Sequence, residues 1–196
     1  MNVDFIFDFA SPNAYLCFKA IPEIEKNTDL RFQYVPCLLG GIFKLTNNQA
    51  PMIAFNEVPH KMKYEFDTAF NRFIDKHKIT NFKMNEHFPV NTLLLQRGAI
   101  VAQSNGCFEL FLEVVMKAMW EESIKLDNPE VLYDLLKSNN CHADLIIEQL
   151  SSDAVKSQLV ENTNAAVQKG AFGVPTFFIG EQIFFGKESL LEMQCL

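Results

Sequence analysis

Two short motifs at opposite ends of the chain constrain its fold most: Ser11-Pro12-Asn13-Ala14-Tyr15, directly behind the first strand pattern, and Gly173-Val174-Pro175-Thr176, directly ahead of the last ones. A strand that runs into a helix N-terminus, faced by a proline turn from a distant segment, is an arrangement that holds a thiol. The residue at the helix start is serine where a redox protein would place cysteine. A chain built in this way is expected to handle a thiol that another molecule brings.

The pattern between the motifs has three parts. Val3, Phe5, Phe7 and Phe9 alternate as in a strand with one strongly apolar face. Ser11-Pro12 is an N-cap followed by proline at the first helical position, and the helix is expected to run to about Glu25. Leu30 to Val35 reads as a second strand ended by Pro36, parallel to the first because a helix joins them. Gly40-Gly41 and Thr46-Asn47-Asn48-Gln49 punctuate the exit from this unit. From about residue 56 helical spacing dominates, with Phe108, Phe111, Val115, Ala118 and Met119 on one stripe and Val131, Leu132, Leu135 and Leu136 on another. Strand character returns at Thr176–Ile179 and Ile183–Phe185, joined by a short glycine-containing loop, and a last helix is expected from Lys187 to about Met193. This βαβ, long helical block, ββα order predicts an α/β, thioredoxin-like fold. Its discontinuous sheet domain would span residues 1–50 and 170–196, around an all-helical insertion over 51–169.

Composition narrows the function. With 196 residues, 48% of them hydrophobic, the chain can bury a full core without crosslinks. Its five cysteines are scattered and odd in number, with no C-x-x-C, so reduced thiols are expected. Seventeen basic against 24 acidic residues give a net charge of -7, with no basic stripe to neutralise phosphates, which argues against nucleic acid. No stretch approaches the ~20 apolar residues of a membrane span, and the opening residues lack a signal-peptide pattern, so a soluble cytoplasmic protein is expected. His60, His77, His87 and His142 share no ligand spacing, and no metal site is expected. The 19 phenylalanines suit a core first, and an aromatic pocket second.

Ser11 has two readings. As a plain N-cap it needs no further role. At the C-terminal edge of a first parallel strand, however, it stands where open α/β folds bind ligands. There its hydroxyl can donate to a bound thiolate, with the helix N-terminus adding positive potential. Val174-Pro175 is expected to be cis, which would turn the Val174 backbone outward to pair with a peptide-like ligand as an added strand does.

These motifs carry a resemblance that runs nearly end to end. The chain resembles 2-hydroxychromene-2-carboxylate isomerases and the kappa-class glutathione transferases, within the DsbA-like thioredoxin superfamily. The matching segments are Asp8-Phe9-Ala10-Ser11-Pro12 with Tyr15-Leu16, Leu38 to Lys44, Phe88-Pro89-Val90-Asn91-Thr92, Trp120, and Ala171 to Thr176. The resemblance implies a homodimer that binds glutathione as a recycled cofactor and acts on a small molecule, in the breakdown of aromatic compounds. Ser11 would hold the glutathione sulfur, flanked by Pro12 and Asn13, and Val174 with Pro175 would pair with the cysteinyl part. Gly186, Lys187, Glu188 and Ser189 would meet the charged end, and Lys44, Asn48, Asn91 and Thr92 would contact the second substrate.

The chain departs from the family at Gly186-Lys187-Glu188-Ser189. Glutamate replaces the usual aspartate, which receives the glutathione amine, and serine replaces the usual arginine. Lys187 is expected to be a solvated helix residue or, alternatively, a nearby cation. Lys61, Tyr64, Asp67 and Arg72 keep a family spacing only loosely and read as helix-surface residues.

The resemblance implies a glutathione-dependent isomerase of a conjugated aromatic or pyruvate-like compound. Its alternative is a kappa-like transferase joining glutathione to an electrophile. A dithiol oxidoreductase would need a thiol pair that Ser11 and Ala14 do not supply. A non-catalytic binding protein retaining the fold is the remaining reading.

Overall fold

The alternation at the start of the chain sorts side chains to two faces of a sheet. In β1 (Asn2–Phe7) Val3, Phe5 and Phe7 are wholly buried on one face, while Ile6 is buried on the other. Only a central strand covered on both sides can do this. In the computed structural model, which describes residues 1–196, β1 pairs in parallel with β2 (Arg31–Pro36). On its other edge it pairs antiparallel with β3 (Thr176–Ile179), which pairs antiparallel with β4 (Gln182–Phe185). The sheet order is β2-β1-β3-β4. Phe5 stands opposite both Tyr34 and Phe177, its ring 5.1 and 4.9 Å from theirs, so aromatic pairs set the register across three strands.

The parallel β1–β2 pair requires a crossover, and α1 (Pro12–Asn27) provides it. Ser11 caps this helix by accepting from the Ala14 amide, with Pro12 at the first turn as the motif predicts. One face of the sheet joins a core of 43 buried residues that continues through the helical block. That block includes α5 (Phe70–His77), α6 (Leu93–Ser104), α7 (Phe108–Trp120), α8 (Pro129–Ser138) and α9 (Ala143–Gln149). The other face closes over Ile6, Val174 and Phe178 against α2 (Leu39–Thr46) and α10 (Asp153–Gln168). Two short helices, α3 (Pro51–Ala54) and α4 (Pro59–Lys63), bury none of their side chains and lead into a π-helical stretch, Tyr64–Ala69. The last helix is α11 (Ser189–Met193).

Three elements differ from the sequence expectation. The Gly40-Gly41 segment is not a break but the first turn of α2. A Cβ on Gly41 would lie 3.1 Å from the Thr163 methyl, so the glycine serves close approach of α2 to α10. The stretch from Lys78 to Thr92 is irregular inside the helical block and contains a cis Phe88–Pro89 bond. It is held there by Asn85, whose buried amide donates to the Met119 and Ile124 carbonyls. The final helix starts at Ser189, leaving Lys187 and Glu188 in the loop ahead of it.

Gly98 tests the packing of the helical block. It sits mid-α6, and an added Cβ would fall 2.6 Å from the Phe111 ring of α7. Overpacking of that kind costs about 1–3 kcal/mol, more than the ~1 kcal/mol that alanine gains over glycine in a helix. Gly98→Ala should therefore lower stability in urea unfolding. The double variant with Phe111→Leu should be less destabilised than the two single effects summed, and strict additivity would refute the contact.

Candidate active site

Asp8 follows β1 and is wholly buried, yet it is the most connected polar side chain near the first motif. Its Oδ1 accepts from the Ala10 amide (2.9 Å) and the Thr92 hydroxyl (2.6 Å), and its Oδ2 from the Leu39 amide (2.7 Å). Its carbonyl accepts from the Ser11 amide at 3.0 Å. One carboxylate thus ties the β1–α1 turn to the starts of α2 and α6, and it caps α2, whose own N-cap residue, Leu38, has no side-chain acceptor. Burial raises the Asp8 pKa above its ordinary value, outweighing the donors from Ala10, Leu39 and Thr92 that pull it down.

That turn delivers Ser11 to the second motif. The Ser11 hydroxyl, 5% exposed, donates to the Val174 carbonyl at 3.3 Å while accepting from the Ala14 amide at 3.2 Å. Val174–Pro175 is cis, as the sequence reading expects. The two motifs, 163 residues apart, are therefore joined directly. In the first turn of α1, Pro12 has no N–H, and the Ala14 and Tyr15 amides are taken by Ser11. The Asn13 amide has no partner within the chain.

Around this junction lies a cleft of about 330 Å3, in the range of small-molecule sites, about 300–1,000 Å3. Ser11, Pro12 and Asn13 form one wall and Val174 and Pro175 the next. Gly186, Lys187 and Glu188 also line it, together with side chains from α3, the π-helical stretch and the irregular loop. Two further hollows, one around Gln103 and Asn162 and one around Lys19 and Glu121, include no residue of either motif.

None of the five cysteines lines the cleft. Cys17, Cys37, Cys107 and Cys141 are buried, and burial pushes their thiols up, that of Cys37 to about 12. These are inert core thiols. Any thiol chemistry at Ser11 has to use a sulfur from outside the chain.

The remaining predicted site residues separate. Asn48 lines the cleft and donates to the Phe172 carbonyl at 2.8 Å, anchoring the end of α2 to the second motif. Lys44 is exposed and outside the cleft wall. Thr92 is buried and engaged by Asp8, and exposed Asn91 accepts from the Leu93 amide at the start of α6. Ser189 is buried with its hydroxyl on the Gly186 carbonyl, so it shapes the loop without lining the cleft.

Lys187 reverses the expectation of a solvated helix residue. It is 2% exposed, its ammonium is 2.6 Å from Glu188 Oε1 and 5.0 Å from the centre of the Phe70 ring, and it lines the cleft. The interior position follows from the loop that carries it: Gly186 adopts φ +85, which turns the next side chain inward before α11 begins. The lining residues Phe55, Phe66 and Met84 gave no separate signal in the sequence, because core and pocket phenylalanines look alike in a chain with 19 of them.

A family model described as a DSBA-like thioredoxin domain matches residues 2–194. The chain belongs to the DSBA-like thioredoxin family. Within it, the chain is 28% identical over 189 residues to glutathione S-transferase kappa 1 of Rattus norvegicus, covering 89% of this chain and 79% of that one. It is 25% identical over 197 residues to 2-hydroxychromene-2-carboxylate isomerase of Pseudomonas sp. (strain C18), covering 98% and 88%. A solved 2-hydroxychromene-2-carboxylate isomerase structure superposes with a TM-score of 0.83 at 24% identity, covering all of this chain and 93% of that one. This last likeness establishes the shared fold. Isomerases and transferases among the relatives make an enzyme acting on small molecules the coarse reading for this DSBA-like member.

The buried Asp8 carboxyl makes stability pH-dependent in a defined direction. Its folded-state pKa lies above 3.8, so the native state holds the proton longer than the unfolded chain does. Its stabilising contribution is complete below 3.8 and is lost as pH rises through the raised value. Urea midpoints of wild type, measured relative to Asp8→Asn, should therefore fall as pH climbs from 3.8 toward neutrality. A difference that stays flat or moves in favour of wild type would reject the raised pKa.

Proposed function

We propose that this protein is a glutathione-dependent enzyme in which Ser11 stabilises the glutathione thiolate, acting as an isomerase on a conjugated substrate. The observation that carries the reading is the junction of Ser11 Oγ with the Val174 carbonyl at the mouth of α1, in a cleft lacking any cysteine of the chain. The residues present fit a thiol tripeptide. The Val174 carbonyl accepts from a cysteinyl amide, which frees the Ser11 hydroxyl, bound to that carbonyl at a long 3.3 Å, to turn toward a sulfur. The Asn13 amide and the N-terminal end of α1 add positive potential at the same place. The Lys187–Glu188 pair offers an acceptor for an ammonium and a donor for a carboxylate in the cleft wall.

Glutathione held by the Ser11 hydroxyl, the Asn13 amide and the Val174 carbonyl would supply a nucleophilic thiolate to the second substrate. Ser11 remains a hydrogen-bond donor throughout and forms no covalent bond. Pro12, Val174 and the phenylalanines that line the cleft keep water away from the sulfur's site. An isomerase returns glutathione free, and a transferase retains it in the product. The kappa-class relative, which also matches most of the chain, favours transfer as the second reading.

The test is the ultraviolet absorbance of glutathione thiolate titrated with the protein at neutral pH. A charge-assisted hydrogen bond contributes about 1.5–3 kcal/mol. Ser11→Ala should accordingly raise the bound thiol's pKa by about one to two and abolish most of the thiolate signal. Ser11→Thr, which keeps the hydroxyl, should restore it. Absence of saturable thiolate with wild type would reject the glutathione reading and leave a binding protein that retains the fold.

A further inference from the structure

The hollow around Lys19 and Glu121 has a volume of about 760 Å3, more than twice that of the cleft at Ser11, and shares no lining residue with it. It lies between α1, β2 and α7, where the sheet order makes β2 an edge strand. Two backbone groups of that edge are already taken: the Phe32 amide donates to Glu25 Oε1 at 2.7 Å, and the Tyr34 carbonyl accepts from the Gln103 side chain at 2.7 Å. Strand addition is blocked at both. What the hollow offers a ligand is therefore side chains. Phe18, Phe32, Tyr34 and Phe108 give it an aromatic lining, with the Phe108 ring 5.9 Å from that of Tyr34. No cation of the chain stands over any of these four rings. Four carboxylates, those of Glu25, Glu109, Glu113 and Glu121, accompany the rings, against two lysines. Both lysines are engaged: Lys19 lies 3.1 Å from Glu121, and Lys117 lies 2.8 Å from Glu122, which is not part of the hollow. Glu109 and Glu113, four residues apart on the exposed side of α7, take part in no ion pair. Like charges at this spacing repel across one helical turn.

We propose that this hollow is a second binding site, for a protonated arylalkyl amine. An ammonium beside Glu109 and Glu113 relieves their repulsion, and against the open ring faces it makes the cation–π contact that no lysine of the chain makes there. The aryl body covers the aromatic lining, where flat rings pack edge to face or offset. A neutral aromatic gains the second interaction without the first. An aromatic carboxylate meets four acidic groups and only lysines that are already paired. The concave shape, walled by two helices and a strand, suits a small molecule. This site stands apart from the chemistry at Ser11 and does not depend on the identity of the thiol bound there.

The test is calorimetry on the full chain with tryptamine, a cation at neutral pH, and with indole-3-propanoate, which carries a carboxylate in place of the ammonium. Tryptamine should bind saturably, at least about tenfold more tightly than the acid, and more weakly as salt is raised. The double variant Glu109→Gln/Glu113→Gln, on an exposed helix face, should weaken tryptamine about fivefold. Phe18→Leu, which keeps apolar bulk and removes one ring face, should weaken it about threefold. Circular dichroism confirms the fold of both variants. Absence of saturable tryptamine binding to wild type overturns the inference, as does an acid that binds equally well. An affinity unchanged in either variant also overturns it, since the amine would then sit elsewhere, as in the cleft at Ser11, whose wall holds Glu65 and Glu188.

Discussion

Three segments that meet nowhere else in the sequence converge on the Asp8 carboxylate: the turn that presents Ser11, the start of α2 and the start of α6. Because the group is buried, its oxygens need donors from the protein, and each donor fixes the place of a backbone segment. The position of Ser11 is therefore set from the end of β1, through its amide on the Asp8 carbonyl, as well as by its hydroxyl on the Val174 carbonyl. The indole of Trp120 adds a second tie by donating to the Phe9 carbonyl, which attaches α7 to the same strand end.

On this base the cleft combines two chemistries. It presents the Ser11 hydroxyl, the Val174 carbonyl and the Lys187–Glu188 ion pair. It also presents aromatic and thioether surface from the α3 and π-helical region, where the short helices bury none of their own side chains.

Much of the fold was legible in the residues. Alternation identified β1, the Ser11-Pro12 pair marked the start of α1 within one residue, and the hairpin near the C-terminus followed from its glycine loop. Local signals succeed there because strand period and capping chemistry act over a few residues. Gly40-Gly41 misled because a glycine can break a helix or let one approach another closely, and only Thr163 on α10 decides which. Lys187 misled for a similar reason: a lysine is ordinarily solvated, and its burial depends on Phe70 and the turn at Gly186. Thr92 belonged to the right neighbourhood but serves Asp8, a partner 84 residues away.

By itself the sequence determined the element order, the capped helix behind the first strand, the serine in place of a cysteine and the family to which the chain belongs. These depend on local periodicity and on residue chemistry that survives without knowledge of distant neighbours. The tertiary structure alone decided that Ser11 meets Val174, that Lys187 is buried and paired, and that Lys44 and Asn91 stand outside the cleft. Each of those outcomes depends on which distant segments the core brings together, and burial and charge pairing are properties of that assembly.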